Sequence, residues 1–163
     1  MFFVNDSIDA RHSKIRRHIE KDAALGLILA AIDFEWTVRR AILALGKSPT
    51  KIIKEEVLAT GRRSGLKHYE ECWSSEVLPL HRNNPLSELI GEWETLRKAF
   101  FLRNKLVHGL ATAGEPFARF RTDTLLAASR KLVDFSQEHD SPIYGRRIVR
   151  LKERSRCPHC LHP

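Results

Sequence analysis

The sequence predicts an all-helical domain of about five helices followed by a basic C-terminal tail. Three observations carry this expectation. Apolar residues recur at a spacing near 3.6 through residues 22–46, 85–108 and 122–139; capping residues and prolines mark helix starts, with glycines at several stops; and no alternating apolar and polar run of convincing strand length occurs. At 163 residues, 42% hydrophobic and 29% charged, the chain suits one domain that buries a core without metal or disulfide staples.

Taken in order, a charge-rich first helix is expected over about Asp6 to Glu20, capped by Asp6 or Ser7. From Asp22 the pattern sharpens: Leu25, Leu29, Ile32, Trp36 and Leu43 form an apolar stripe, and Gly46 sits where a helix C-terminus wants a positive φ. Glu35 and Arg39 lie four apart on this helix, in the order that favours an ion pair, close to the Ile28–Ile32 side. That pair reads either as a partly exposed structural salt bridge or as support for a neighbouring cleft. Ser48-Pro49 opens a short helix to about Thr60, ended by the basic loop Gly61-Arg62-Arg63-Ser64-Gly65.

A helix over Leu66 to Leu78 carries Tyr69, Trp73 and Val77 on one face, with Cys72 as a small buried thiol. Pro79 and the turn His81-Arg82-Asn83 end it. Asn84-Pro85 then opens what reads as the longest helix, to His108, with Gly109 as its stop. Leu110 to Arg121 is expected as a loop whose Phe117 and Phe120 tuck onto the core. Thr122-Asp123 caps a last helix to about His139, apolar at Leu125, Leu126, Leu132, Val133 and Phe135, and Asp140-Ser141-Pro142 closes the domain.

Residues 1–142 thus form the helical domain and 143–163 the tail. The tail holds much of the formal charge of +8: residues 143–156 carry six basic residues and one acid, whereas the first 142 hold 22 basic against 19 acidic residues. Such a balance favours an acidic partner, nucleic acid first, with Arg146, Arg147, Arg150 and Lys152 as the contacts; a merely solvated extension is the alternative. Three cysteines are too few for a disulfide framework. No apolar run approaches the ~20 residues of a membrane span, and the start MFFVNDSIDARHSK lacks a signal-peptide layout, so a cytoplasmic protein with no membrane association is expected.

The stretch Phe100 to Gly109 sets polar groups into an apolar face. With Leu89 at zero and about 100° per residue, Trp93, Leu96, Phe100 and Val107 fall along one line, with Arg103 on one flank and Asn104 and His108 on the other. An isolated buried charge costs several kcal/mol or more, so this stripe must end in a cleft or an interface, or Arg103 must pair with Glu35 or another acid while His108 closes the helix.

Arg103-Asn104-Lys105-Leu106-Val107-His108, followed by Gly109, resembles the R-x(4–6)-H motif of the HEPN superfamily, in which arginine, an adjacent polar residue and histidine stand near the end of a long helix. The remaining likeness, over about Asp6 to His139, is one of architecture. The resemblance implies a HEPN-like bundle and a homodimer whose two motif helices meet in one composite cleft. It also implies a metal-independent endoribonuclease of a toxin–antitoxin or phage-defence setting, with an antitoxin such as a nucleotidyltransferase as partner. On this reading Arg103 holds the scissile phosphate, two copies of His108 share base and acid work, and Asn104 orients the imidazole or bonds substrate. Glu35 and Arg39 support the cleft.

Cys157-Pro158-His159-Cys160-Leu161-His162 has the C-P-x-C turn of zinc knuckles. Cys157, Cys160 and His162 (or His159) supply three of four ligands for a structural zinc, with the fourth drawn from Cys72, another histidine or a partner subunit; exposed thiols are the alternative. Catalysis in proteins of this kind calls for no cofactor. The rival function is a non-catalytic HEPN-like module that binds nucleotide, RNA or protein through the basic CxxC tail, and a DNA-binding regulator using that tail is a third.

Overall fold

A computed structural model describes residues 5–57, 65–81, 84–110, 112, 114–144 and 148. The described residues are all-helical, with no strand among them: α1 (Ile8–Ile19), α2 (Ala23–Leu45), α3 (Thr50–Ile52) running on into a π-turn (Ile53–Val57), α4 (Leu66–Glu76), α5 (Leu86–Ile90), α6 (Trp93–Val107) and α7 (Glu115–Glu138). None of these helices is long and apolar enough to cross a membrane.

The first two helices start where side-chain oxygens meet their unpaired N–H groups. Ser7 Oγ accepts from the Ala10 N–H at 3.2 Å and Asp22 Oδ1 from that of Leu25 at 3.0 Å. α2 is the central helix, packed chiefly on α7 and α1, then on α6 and α4. Its buried face differs from the expected stripe. Leu27, Ala30, Ala31, Phe34, Val38, Ala41 and Ile42 are buried, whereas Leu25 and Ile32 are 40% and 42% exposed, and of the expected stripe only Leu43 is buried. This helix is apolar nearly all round, so periodicity offered two opposite faces. The one rich in alanine won, because small side chains let neighbouring helices approach. Gly26 is the extreme case: a Cβ there would stand 2.4 Å from Ile19 Cγ1 of α1.

The expected helix over residues 85–108 is broken. Gly91, at φ +75°, separates α5 from α6, a conformation that glycine adopts without the steric penalty a Cβ brings. Conversely, the expected loop before residue 122 is helical from Glu115, with Pro116 in the first turn, where a missing N–H costs nothing. Phe117 and Phe120 do not tuck inward; they are 55% and 58% exposed on the first turns of α7. The expectation for α4 holds: Tyr69, Cys72, Trp73 and Val77 are buried, and the Trp73 indole N–H donates to the Asn84 carbonyl at 2.9 Å. Other helix ends differ: Pro49 and Pro85 stand at the cap positions expected of Ser48 and Asn84, and Gly46 ends α2 at a φ of −66° rather than a positive one.

α1 is short of apolar residues because its inner face is partly ionic. Arg11 and His12 are buried against fully buried Asp33 of α2: Arg11 Nη1 donates to Asp33 Oδ1 at 2.9 Å, and His12 Nε2 stands 3.5 Å from Oδ2. The Arg11 guanidinium also lies 3.8 Å from the Trp36 ring centroid. The same group anchors chain beyond residue 142. Ile143 is buried, its carbonyl accepts from Arg40 Nε, and the Tyr144 hydroxyl bonds Thr37 Oγ1 at 3.1 Å. Burial, followed by the charge of Asp33, pushes the Tyr144 phenol up to about 12.

Candidate functional site

The polar group at the end of α6 is positioned by the packing of that helix on α2. Leu96, Ala99 and Phe100 bury the inner face of the helix, and Phe100 meets Phe34 of α2 edge to face at a centroid distance of 5.7 Å. One turn further on, Arg103 falls on that same inner side. It reaches the edge of the core, where Glu35 of α2 stands, with Arg103 Nη2 and Glu35 Oε2 3.7 Å apart. Both side chains keep about a quarter of their surface in solvent, at 25% and 23% exposure, so the pair is screened rather than sealed.

Arg103 Nη1 donates to Asn104 Oδ1 at 2.9 Å, while Arg103 Nε is buried and has no hydrogen-bond partner among the described residues. A guanidinium carries five N–H donors. Among the described residues one makes a hydrogen bond, so the two terminal nitrogens of the fork keep donors to offer to an anion. Asn104, expected to orient the imidazole or bond substrate, accepts from the arginine through its carboxamide oxygen, which leaves its amide N–H donors for either task.

Arg39 was expected to face Glu35 within α2. The structure shows its Nε donating to the Tyr69 hydroxyl of α4 at 3.1 Å, and Glu35 reaching Arg103 on α6. Burial, with a further push from the Glu35 charge, raises the Tyr69 phenol above its ordinary range. Tyr69 therefore joins the polar edge formed by Glu35, Arg39 and Arg103. In the sequence it was legible only as an apolar-face residue of α4, because nothing local reveals which residue will meet its hydroxyl.

His108 is the C-terminal cap of α6 and is exposed. After it, Gly109 at φ +66° turns the chain: its N–H donates to the Leu106 carbonyl at 3.1 Å and that of Leu110 to the Lys105 carbonyl at 2.8 Å. These two bonds satisfy carbonyls that the helix end would leave open, as the glycine at this position led one to expect. The His108 imidazole makes no hydrogen bond among the described residues. Val107, read from the sequence as part of the buried stripe, is 52% exposed, and Leu110 is 74% exposed.

Arg103 and His108 are five residues apart, which places them about 140° apart around the helix and roughly 7.5 Å apart along it. One chain therefore presents the arginine on the α2 side and the imidazole on the outer side, with Val107 between them. Arg146, Arg147, Arg150, Lys152, Cys157, Cys160 and His162 lie outside the described residues, as does most of the basic loop 61–65. Among the described residues no three His, Cys, Asp or Glu side chains are grouped to hold a metal ion. Compared with protein-family models, curated proteins and solved structures, the chain matches none.

Proposed function

We propose that the chain is a HEPN-type endoribonuclease that acts as a homodimer, with Arg103 and His108 of both copies forming one cleft. The observation that carries this reading is the state of the two side chains. Arg103 is held at the edge of the core by Glu35 and Asn104 with donors to spare, and an exposed histidine with no hydrogen-bond partner among the described residues stands five residues on. The exposed Val107 and Leu110 beside them supply apolar surface for a second copy of α6.

The chemistry follows from these groups. One His108 takes the proton of the RNA 2′-hydroxyl as that oxygen attacks phosphorus; the bond from phosphorus to the 5′-oxygen breaks, and the other His108 gives that oxygen a proton. The products are a 2′,3′-cyclic phosphate and a 5′-hydroxyl. Imidazole, with a reference pKa near 6.5, is available in both forms near pH 7. Arg103 neutralises the charge that builds on the phosphate oxygens, with planar donors suited to two of them. The nucleophile comes from the RNA itself, so this scheme calls on no metal.

Incubating single-stranded RNA with the pure protein in EDTA, beside His108→Ala, tests the reading. Loss of a general acid and base lowers the rate by at least about 100-fold; equal cleavage by the two preparations removes the nuclease. The Arg103–Glu35 pair favours a second reading, in which the arginine is structural and the domain is a non-catalytic binding module. RNA binding without cleavage, lost on removing 143–163, is its signature. An antitoxin partner and a defence role belong to the proposal as extensions of the same resemblance, whereas a structural zinc on Cys157, Cys160 and His162 rests on the C-P-x-C spacing alone.

A further inference from the structure

The outer face of α6 carries an aromatic ring that the fold does not use. Phe101 is 62% exposed, while its neighbour Phe100 does the packing against Phe34. At about 100° per residue, Phe101 and His108 lie within about 20° of each other on the helix, with Arg97 and Lys105 about 40° to either side. The Lys105 ammonium stands 4.5 Å from the Phe101 ring centroid. Arg97 bonds Glu94 at 3.1 Å, but both side chains are nearly two-thirds exposed, so that pair holds the arginine only weakly. Lys98, also exposed, borders the stripe.

We propose that Phe101 is a stacking platform for one base of a single-stranded RNA, with Lys98 and Lys105 meeting the adjoining phosphates. This rests on RNA being the substrate of the cleft at His108. A nucleotide offers a π face and a negative phosphate together, and so satisfies ring and ammonium at once. A protein partner fits less well, because the cores of protein interfaces are depleted of lysine, and this ring has cations on both sides. Duplex RNA keeps its bases stacked inside the helix, so the ring selects unpaired strands. Phe101 and His108 are two turns apart, about 10 Å along the axis. The stacked base therefore belongs to a nucleotide close to the one cleaved, and Phe101 sets which phosphate reaches His108.

The test measures the affinity of the full chain for a fluorescently labelled single-stranded RNA by anisotropy, in a His108→Ala background that keeps the RNA intact. Phe101→Ala weakens binding by about 5- to 150-fold, the equivalent of the ~1–3 kcal/mol that one base–aromatic stack contributes, and Phe101→Trp restores it. With His108 present, Phe101→Ala also shifts or blurs the positions of cleavage. Unchanged binding in Phe101→Ala, failure of Phe101→Trp to rescue, or loss of the dimer by light scattering in Phe101→Ala each overturns the inference. The two readings fail separately. Unchanged binding in Phe101→Ala with cleavage lost in His108→Ala sinks the platform alone, whereas weakened binding in Phe101→Ala with no cleavage by the unaltered chain sinks the nuclease alone.

Discussion

Arg103 shows why a charge at a core edge is tolerated. Sealed inside, it would cost several kcal/mol; with a quarter of its side chain in solvent and Glu35 at 3.7 Å, it is held at modest expense. The same partial burial makes shape matter more than charge. Arg103→Lys keeps the cation but loses the planar fork that spans Asn104 and Glu35 and that, in the proposed cleft, offers two parallel donors to a phosphate. If the proposed nuclease reading holds, cleavage of single-stranded RNA by Arg103→Lys falls about 100-fold, while its thermal unfolding temperature stays near that of the unaltered chain. A lysine variant of full activity would mean that Arg103 supplies charge alone.

α6 ends abruptly because Gly109 takes a backbone conformation in which a Cβ would clash with the adjoining carbonyl. Gly109→Ala destabilises the domain by about 1–2 kcal/mol in urea unfolding, and lowers activity further by loosening His108 at the cap. This end of the helix was legible in advance, since a glycine after an apolar run is a local signal. The start was not. The break at Gly91 and the early onset of α7 at Glu115 each turn on one glycine or proline that suits a helix boundary and a loop equally well. On α2 the difficulty was symmetry: a helix apolar all round has no unique inner face until α1 and α7 choose one. The Glu35–Arg103 contact, 68 positions apart in the chain, follows from that choice, since it leaves Glu35 at the margin of the buried face.

At the scale of the whole molecule, the exposed apolar residues are informative by position. Val107 and Leu110 sit at the end of α6 beside the candidate site, and Val107 lies between Arg103 and His108 around the helix. In the proposed dimer Val107 is at or near the two-fold axis, where any charge meets its own copy. Val107→Asp therefore yields a monomer in light scattering and abolishes cleavage, with helix content by circular dichroism unchanged. A fully active Val107→Asp dimer would refute this geometry. The isologous arrangement itself needs only one patch that fits its own copy.

The sequence by itself determined the helical class, most of the helices, the buried face of α4, the stop at Gly109 and the spacing of Arg103, Asn104 and His108. All of these depend on interactions among residues a few positions apart. Only the tertiary structure decided which face of α2 is inside, that the Asn104 carboxamide oxygen meets Arg103, that Tyr69 joins the polar edge, and that Arg11, His12 and Asp33 are buried together. Those outcomes depend on which helices approach closely, and close approach is set by small residues such as Gly26, Ala30 and Ala31, whose effect lies in the space they leave to distant parts of the chain.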